Sequence, residues 1–131
     1  KLEDLPAELQ ALIMDVIEST KNNTGLVLTL ALSYGGRQEI VDAINKIITS
    51  DNKNIDEEVF QNYLYDPTMP DPDLIIRTGG ENRLSNFLLW QSAYSEIYVS
   101  KKNWPEFAED DLISALNDFG QRKRKYGKVL S

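Results

Sequence analysis

Five side chains between positions 77 and 96 could act on one ligand: Arg77, Glu81, Arg83, Ser85 and Glu96, in the stretch RTGGENRLSNFLLWQSAYSE. A guanidinium presents a planar fork of donors that matches two oxygens of a phosphate. Ser85 adds a hydroxyl donor, so Arg77, Arg83 and Ser85 together could hold a diphosphate. From Asp73 to Glu96 there are three acids and two arginines, a net charge of −1. That mixture fits a metal–diphosphate site better than a plain anion patch, because magnesium is bound through one or two carboxylates together with substrate phosphate and water. The same residues admit a plainer reading, an Arg77–Glu81 ion pair across a turn for which Gly79 and Gly80 are merely the bend.

A second glycine pair with an arginine occurs in SYGGR, residues 33–37. Glycines let backbone N–H groups approach an anion closely, and a helix that follows turns its positive end toward the charge. Other chemistries are excluded by composition. The 131 residues include no Cys and no His, which removes thiolates, disulfides, the commonest general base and the commonest zinc ligand. What remains is carboxylates, arginines, hydroxyls and a hard cation.

The elements that must position these groups can be read from periodicity. Leu9, Leu12, Ile13, Val16 and Ile17 recur at helical spacing after Pro6, which suits a first helical turn. LVLTLALS, residues 26–33, reads as a strand buried on both faces. Ile40, Val41, Ile44, Ile47 and Ile48 mark a second helix, and IDEEVFQNYL a short third. DPTMPDPD is an extended connection, LIIRT a strand, and 85–94 a helix capped by Ser85. IYVS is another strand, and Leu112, Ala115, Leu116 and Phe119 mark a last helix. Phe87, Leu88, Leu89, Trp90 and Trp104 read as packing residues. The pattern predicts an α/β fold with a partial parallel sheet of about three strands flanked by helices, one partial domain over 1–131.

The net charge of −7 argues against broad nucleic-acid binding. The tail QRKRKYGKVLS carries five basic residues and no acid; it reads as a solvated helix end or as an arm that meets phosphate. No apolar run approaches the roughly 20 residues of a membrane span. There is no leader pattern, and a cytoplasmic location is expected. Three parallel strands would leave an apolar edge unpaired. The chain also opens on Lys1 directly before a helix. Both lead us to expect a piece of a larger domain.

The segments PDLIIRTGGENRLSNFLLWQSAYSE and LALSYGGRQEIVDAI, the WPEF that follows, and the closing Arg124, Lys125, Tyr126 and Gly127 resemble the cis-prenyltransferase family, of the undecaprenyl diphosphate synthase type. The resemblance runs from the first helix to Gly127. It implies condensation of isopentenyl diphosphate onto an allylic diphosphate such as farnesyl diphosphate, to make undecaprenyl diphosphate for cell-wall glycans. It implies that Arg77, Arg83 and Ser85 bind the diphosphate of isopentenyl diphosphate, that Glu96 belongs to a magnesium site, and that the enzyme is a homodimer. The family's Asp-Gly-Asn-Gly-Arg-Trp segment, which brings the catalytic Asp and the primer-binding groups, does not occur in this sequence. The expectation is therefore a C-terminal half, with no catalytic residue of its own and inactive alone. The alternatives are a non-catalytic interaction subunit of a prenyltransferase complex and, further off, an unrelated phosphate-binding α/β module.

One expectation concerns geometry. A helix over 85–94 would span about 15 Å at 1.5 Å per residue and deliver Glu96 to the sheet edge opposite Arg77. Magnesium ligands lie at about 2.1 Å. Glu96 then serves the same chain's site only if the connection doubles back; otherwise it serves a neighbouring subunit, and the tail around Arg122 and Arg124 could reach across in the same way.

Overall fold

The computed structural model describes residues 2–52 and 54–124; Lys125, Tyr126 and Gly127 lie outside them. The chain divides into two units, Lys1–Gly35 and Gly36–Ser131.

The first unit holds a 3₁₀ turn, Leu2–Asp4, and helix α1, Ala7–Thr20. Pro6, at φ −54° and ψ 142°, is the extended residue just before α1 rather than part of its first turn. The apolar residues of α1 fall at the expected spacing, yet none is buried. LVLTLALS does not form the expected strand. It runs without a ladder partner among the described residues, with Leu26 93% and Val27 86% exposed. A strand is defined by hydrogen bonds to a neighbour, and no described segment supplies one.

The second unit carries helices α2 (Gly36–Ile48), α3 (Glu57–Gln61) and α4 (Glu109–Gln121), and strands β1 (Leu74–Arg77) and β2 (Glu96–Val99). On α2, Gly36, Glu39 and Ala43 are buried, with Ile40 and Ile47 beside them on one stripe. Ala43 packs with Phe60, Leu64, Ile40, Ile47, Tyr63 and Trp90, the rings of Phe60 and Trp90 lying 4.4 Å apart. Val41, Ile44 and Ile48 form a second apolar stripe that stays exposed. Helix α3 starts where the Asp56 carboxylate accepts the Val59 N–H at 2.8 Å. It is shorter than expected, because Asn62, Tyr63 and Leu64 each donate three residues back and tighten the chain out of the α-helix.

The sheet is parallel, with Leu74 opposite Glu96 and Arg77 opposite Val99. The architecture is α/β, but two strands form among the described residues where about three were expected. The expected helix over 85–94 is absent. Ser85, Asn86 and Leu88 have φ of +49°, +66° and +45°, left-handed values that a right-handed helix cannot contain. The segment makes only isolated turn bonds, such as Ser92 N–H to the Leu88 carbonyl at 2.9 Å, and it caps another helix: the Asn86 carbonyl accepts the Gly36 N–H at 2.8 Å and its Oδ1 the Arg37 N–H at 2.9 Å. Trp104 is also not the packing residue expected. It is 74% exposed, stacked on Phe107 with ring centroids 6.2 Å apart.

Candidate functional site

Strand β1 ends on Arg77, whose carbonyl accepts the Ser100 N–H at 2.8 Å. The chain then turns through Gly79 and Gly80, at φ +88° and +74°, angles that glycine adopts without steric cost. Gly79 N–H donates to the Lys102 carbonyl and Gly80 N–H to that of Ser100, both at 2.8 Å. The turn thus folds the exit of β1 onto the exit of β2. These N–H groups are spent on backbone, while that of Gly36 is spent on the Asn86 carbonyl and that of Arg37 on the Asn86 side-chain Oδ1. The N–H groups of Gly79, Gly80, Gly36 and Arg37 that were expected to cradle an anion are therefore engaged within the chain, and side chains are the other donors at hand.

Arg77 supplies the clearest donor. Its Nε is buried and has no hydrogen-bond partner among the described residues. A buried donor left unpaired costs about 1–3 kcal/mol, so an acceptor brought to it would relieve up to that much, less its own desolvation. Arg83 lies beyond the glycine turn, with Nη1 2.5 Å from Glu81 Oε2 and both side chains half exposed. The ion pair of this turn is therefore Arg83–Glu81, not Arg77–Glu81. Ser85 is exposed and left-handed, so its hydroxyl does not cap a helix. Arg77 closes β1, and Arg83 and Ser85 follow it in the chain, past the end at which open α/β sheets gather ligands. No hydrogen bond joins any two of them.

Glu96 stands apart. It pairs with Leu74 at the amino end of β2, three residues from the Arg77–Val99 pair, or about 10 Å along the strand. Its Oε2 lies 2.9 Å from Arg122 Nη1, which also donates to the Ile97 carbonyl at 3.1 Å. Arg122 Nη2 reaches Asp118 at 2.6 Å. These carboxylates, Glu96 first, raise the guanidinium above its ordinary pKa. Arg124 is ion-paired with Asp73 at the same end of the sheet. Among the described residues no group of three acidic side chains could hold a metal ion. Glu96 is engaged by Arg122, so a cation held by Glu96 would have to displace that guanidinium.

Residues that the sequence reading passed over hold the loop in place. Glu39, only 2% exposed, accepts from Gln91 Nε2 at 3.2 and 3.1 Å and from the Tyr65 N–H at 3.1 Å. Its place on the stripe between Gly36 and Ala43 was the available signal. For Asn86 the signal was residue type, since Asn tolerates the left-handed region better than most.

Comparison with known proteins extends the picture. The prenyltransferase family model described as "Putative undecaprenyl diphosphate synthase" matches residues 1–127. An isoprenyl transferase of Rickettsia felis is 56% identical over 128 residues, covering 98% of this chain and 54% of the relative. One from Fusobacterium nucleatum is 50% identical over 126 residues, covering 96% of this chain and 54% of the relative. The chain thus spans about half the length of these relatives. Among solved structures, a probable undecaprenyl diphosphate synthase from Campylobacter jejuni superposes with a TM-score of 0.86 at 37% identity, over 98% of this chain and 60% of that one. Lavandulyl diphosphate synthase from Lavandula x intermedia, in complex with dimethylallyl diphosphate, gives 0.90 at 39% identity, over 95% and 56%.

Proposed function

The chain belongs to the undecaprenyl diphosphate synthase family of prenyltransferases, and from that premise we propose that it forms the part of a cis-prenyltransferase that holds the diphosphate of isopentenyl diphosphate. The observation that carries the reading is the buried, unpartnered Nε of Arg77 at the carboxyl end of β1. Arg83 joins it by exchanging Glu81 for a diphosphate oxygen, and Ser85 adds its hydroxyl. In the whole enzyme the allylic C–O bond breaks and its electron pair leaves with the diphosphate. The alkene of isopentenyl diphosphate forms the new C–C bond, and a proton is lost to give the double bond. The part of this chain is to orient the alkene by fixing its diphosphate, in an environment of preorganised positive charge.

The rest of the chemistry falls to groups this sequence does not contain, since it lacks an Asp-Gly-Asn-Gly-Arg-Trp segment. The chain is proposed to be inactive alone and to work in the cytoplasm within a homodimeric enzyme that elongates farnesyl diphosphate to undecaprenyl diphosphate. Glu96 is proposed as a magnesium ligand once Arg122 releases it, in its own or a neighbouring subunit. The test is a calorimetric titration of the chain with isopentenyl diphosphate, with isopentenol as control, beside an elongation assay with radiolabelled isopentenyl diphosphate, farnesyl diphosphate and magnesium. Diphosphate-dependent binding without elongation is expected. Equal responses to the diphosphate and the alcohol overturn the binding reading; clear elongation overturns the inactivity.

A further inference from the structure

We propose that Glu39 is a positioning residue: its buried carboxylate, acting through Gln91, fixes the 83–91 loop on helix α2 and so presents Arg83 and Ser85 to the diphosphate. The ligand in this inference rests on the proposed function; the tie between α2 and the loop does not. Glu39 and Gln91 are 2% and 3% exposed. Gln91 is anchored only through its nitrogen, which donates to both carboxylate oxygens; its Oε1 is buried with no partner among the described residues. Without the carboxylate the whole amide would be buried and unpaired, a cost the chain avoids by swinging Gln91, and the loop with it, toward water.

Two further contacts show that α2 and the loop meet along a length. Asn86 accepts both N–H groups that open α2, one residue beyond Ser85. A Cβ on Gly36 would come within 2.9 Å of Leu89 Cγ and 3.0 Å of Leu89 N, so the loop lies directly on the helix. Asn86 fixes the start of the segment and Gln91 its end. Ser85 and Asn86 at the start and Leu88 between the two anchors are left-handed, with angles that persist only when the surroundings impose them.

The experiment compares the chain with Glu39→Ala and Glu39→Gln. Hydrogen exchange reads the loop without ligand, and titration with isopentenyl diphosphate reads the site. In Glu39→Ala, exchange over 83–91 is expected to accelerate while β1, β2 and α4 stay protected, and affinity to fall at least about tenfold. Glu39→Gln is expected to restore most of both, because two carboxamides can pair once Gln91 turns its Oε1 inward. In a double-mutant cycle the Glu39→Ala loss should largely vanish when Arg83 is already Ala. Additive losses, unchanged loop exchange, or loosening spread over the whole unit each overturn the inference. If the parent chain binds no isopentenyl diphosphate, the diphosphate reading fails alone, and loop-confined loosening with rescue by Gln still decides the role of Glu39.

Discussion

Arg122 holds Glu96 at the amino end of β2, with Nη1 2.9 Å from Oε2, while a second nitrogen of the same guanidinium holds Asp118. One residue beyond α4 thereby ties that helix to the sheet edge opposite Arg77. Both side chains of the Glu96 pair are 29% exposed, so water weakens the attraction. Arg122→Ala is expected to cost about 1 kcal/mol or less in urea unfolding. A loss of several kcal/mol would mean that the pair organises the fold.

Gly36 is where helix α2 touches the loop most closely. The Cβ of Gly36→Ala would meet the backbone nitrogen of Leu89 as well as its side chain, and backbone cannot rotate aside. Destabilisation of about 1–3 kcal/mol is expected, read from the urea midpoint at unchanged slope. A neutral Gly36→Ala would show that the loop can lift freely from the helix.

The start of α4 should respond to acid. The Asp111 carboxylate accepts from Lys102 Nζ and from the Ala108 N–H, each at 2.9 Å. Lys102 first and the Ala108 N–H second hold it below its ordinary pKa of 3.8. A carboxyl lowered by folding adds stability above its unfolded pKa and loses it as pH falls through the folded value. Lys102 is raised, chiefly by the same bond; its share is present below its unfolded pKa and disappears as pH rises through the folded one. Protection of the Ala108 amide, corrected for intrinsic exchange, should therefore fall below the ordinary carboxyl range and again at strongly alkaline pH. Asp111→Asn should remove both steps; persistence of either would assign it to other groups.

Leu26, Val27, Leu28 and Leu30 are 67–93% exposed, along backbone with no strand partner among the described residues. Such a segment pairs readily with another chain. The weight-average mass in sedimentation equilibrium should rise with concentration, and Leu26→Lys with Leu28→Lys should reduce the rise. A monomer at every concentration would contradict this expectation.

Local pattern made much of this legible in the sequence. The apolar spacing of α1, α2 and α4 and the β-branched run of LIIRT are short-range signals, and each element formed. The failures share one cause. LVLTLALS has the composition of a central strand, but composition does not provide a neighbour. The 85–94 segment has helical apolar spacing, yet the donors of α2, some fifty residues away in sequence, recruit Asn86 and bend the chain left-handed. At the site, residue type singled out Arg77 and Arg83. That the glycine N–H groups are occupied, and that Glu39 and Gln91 brace the loop, depends on long-range contacts that no window of sequence contains.

The most direct test of the central claim is the affinity of the chain for isopentenyl diphosphate with Arg77 as Arg, Lys and Ala. The unpartnered donor is Nε, a group that lysine does not reproduce. Loss of a charged hydrogen bond is worth roughly 1.5–3 kcal/mol, on the order of 10- to 150-fold. Both substitutions should therefore weaken binding by at least about tenfold, with Lys recovering little. Unchanged affinity in Arg77→Ala would contradict the account and leave Arg77 a residue of the fold alone.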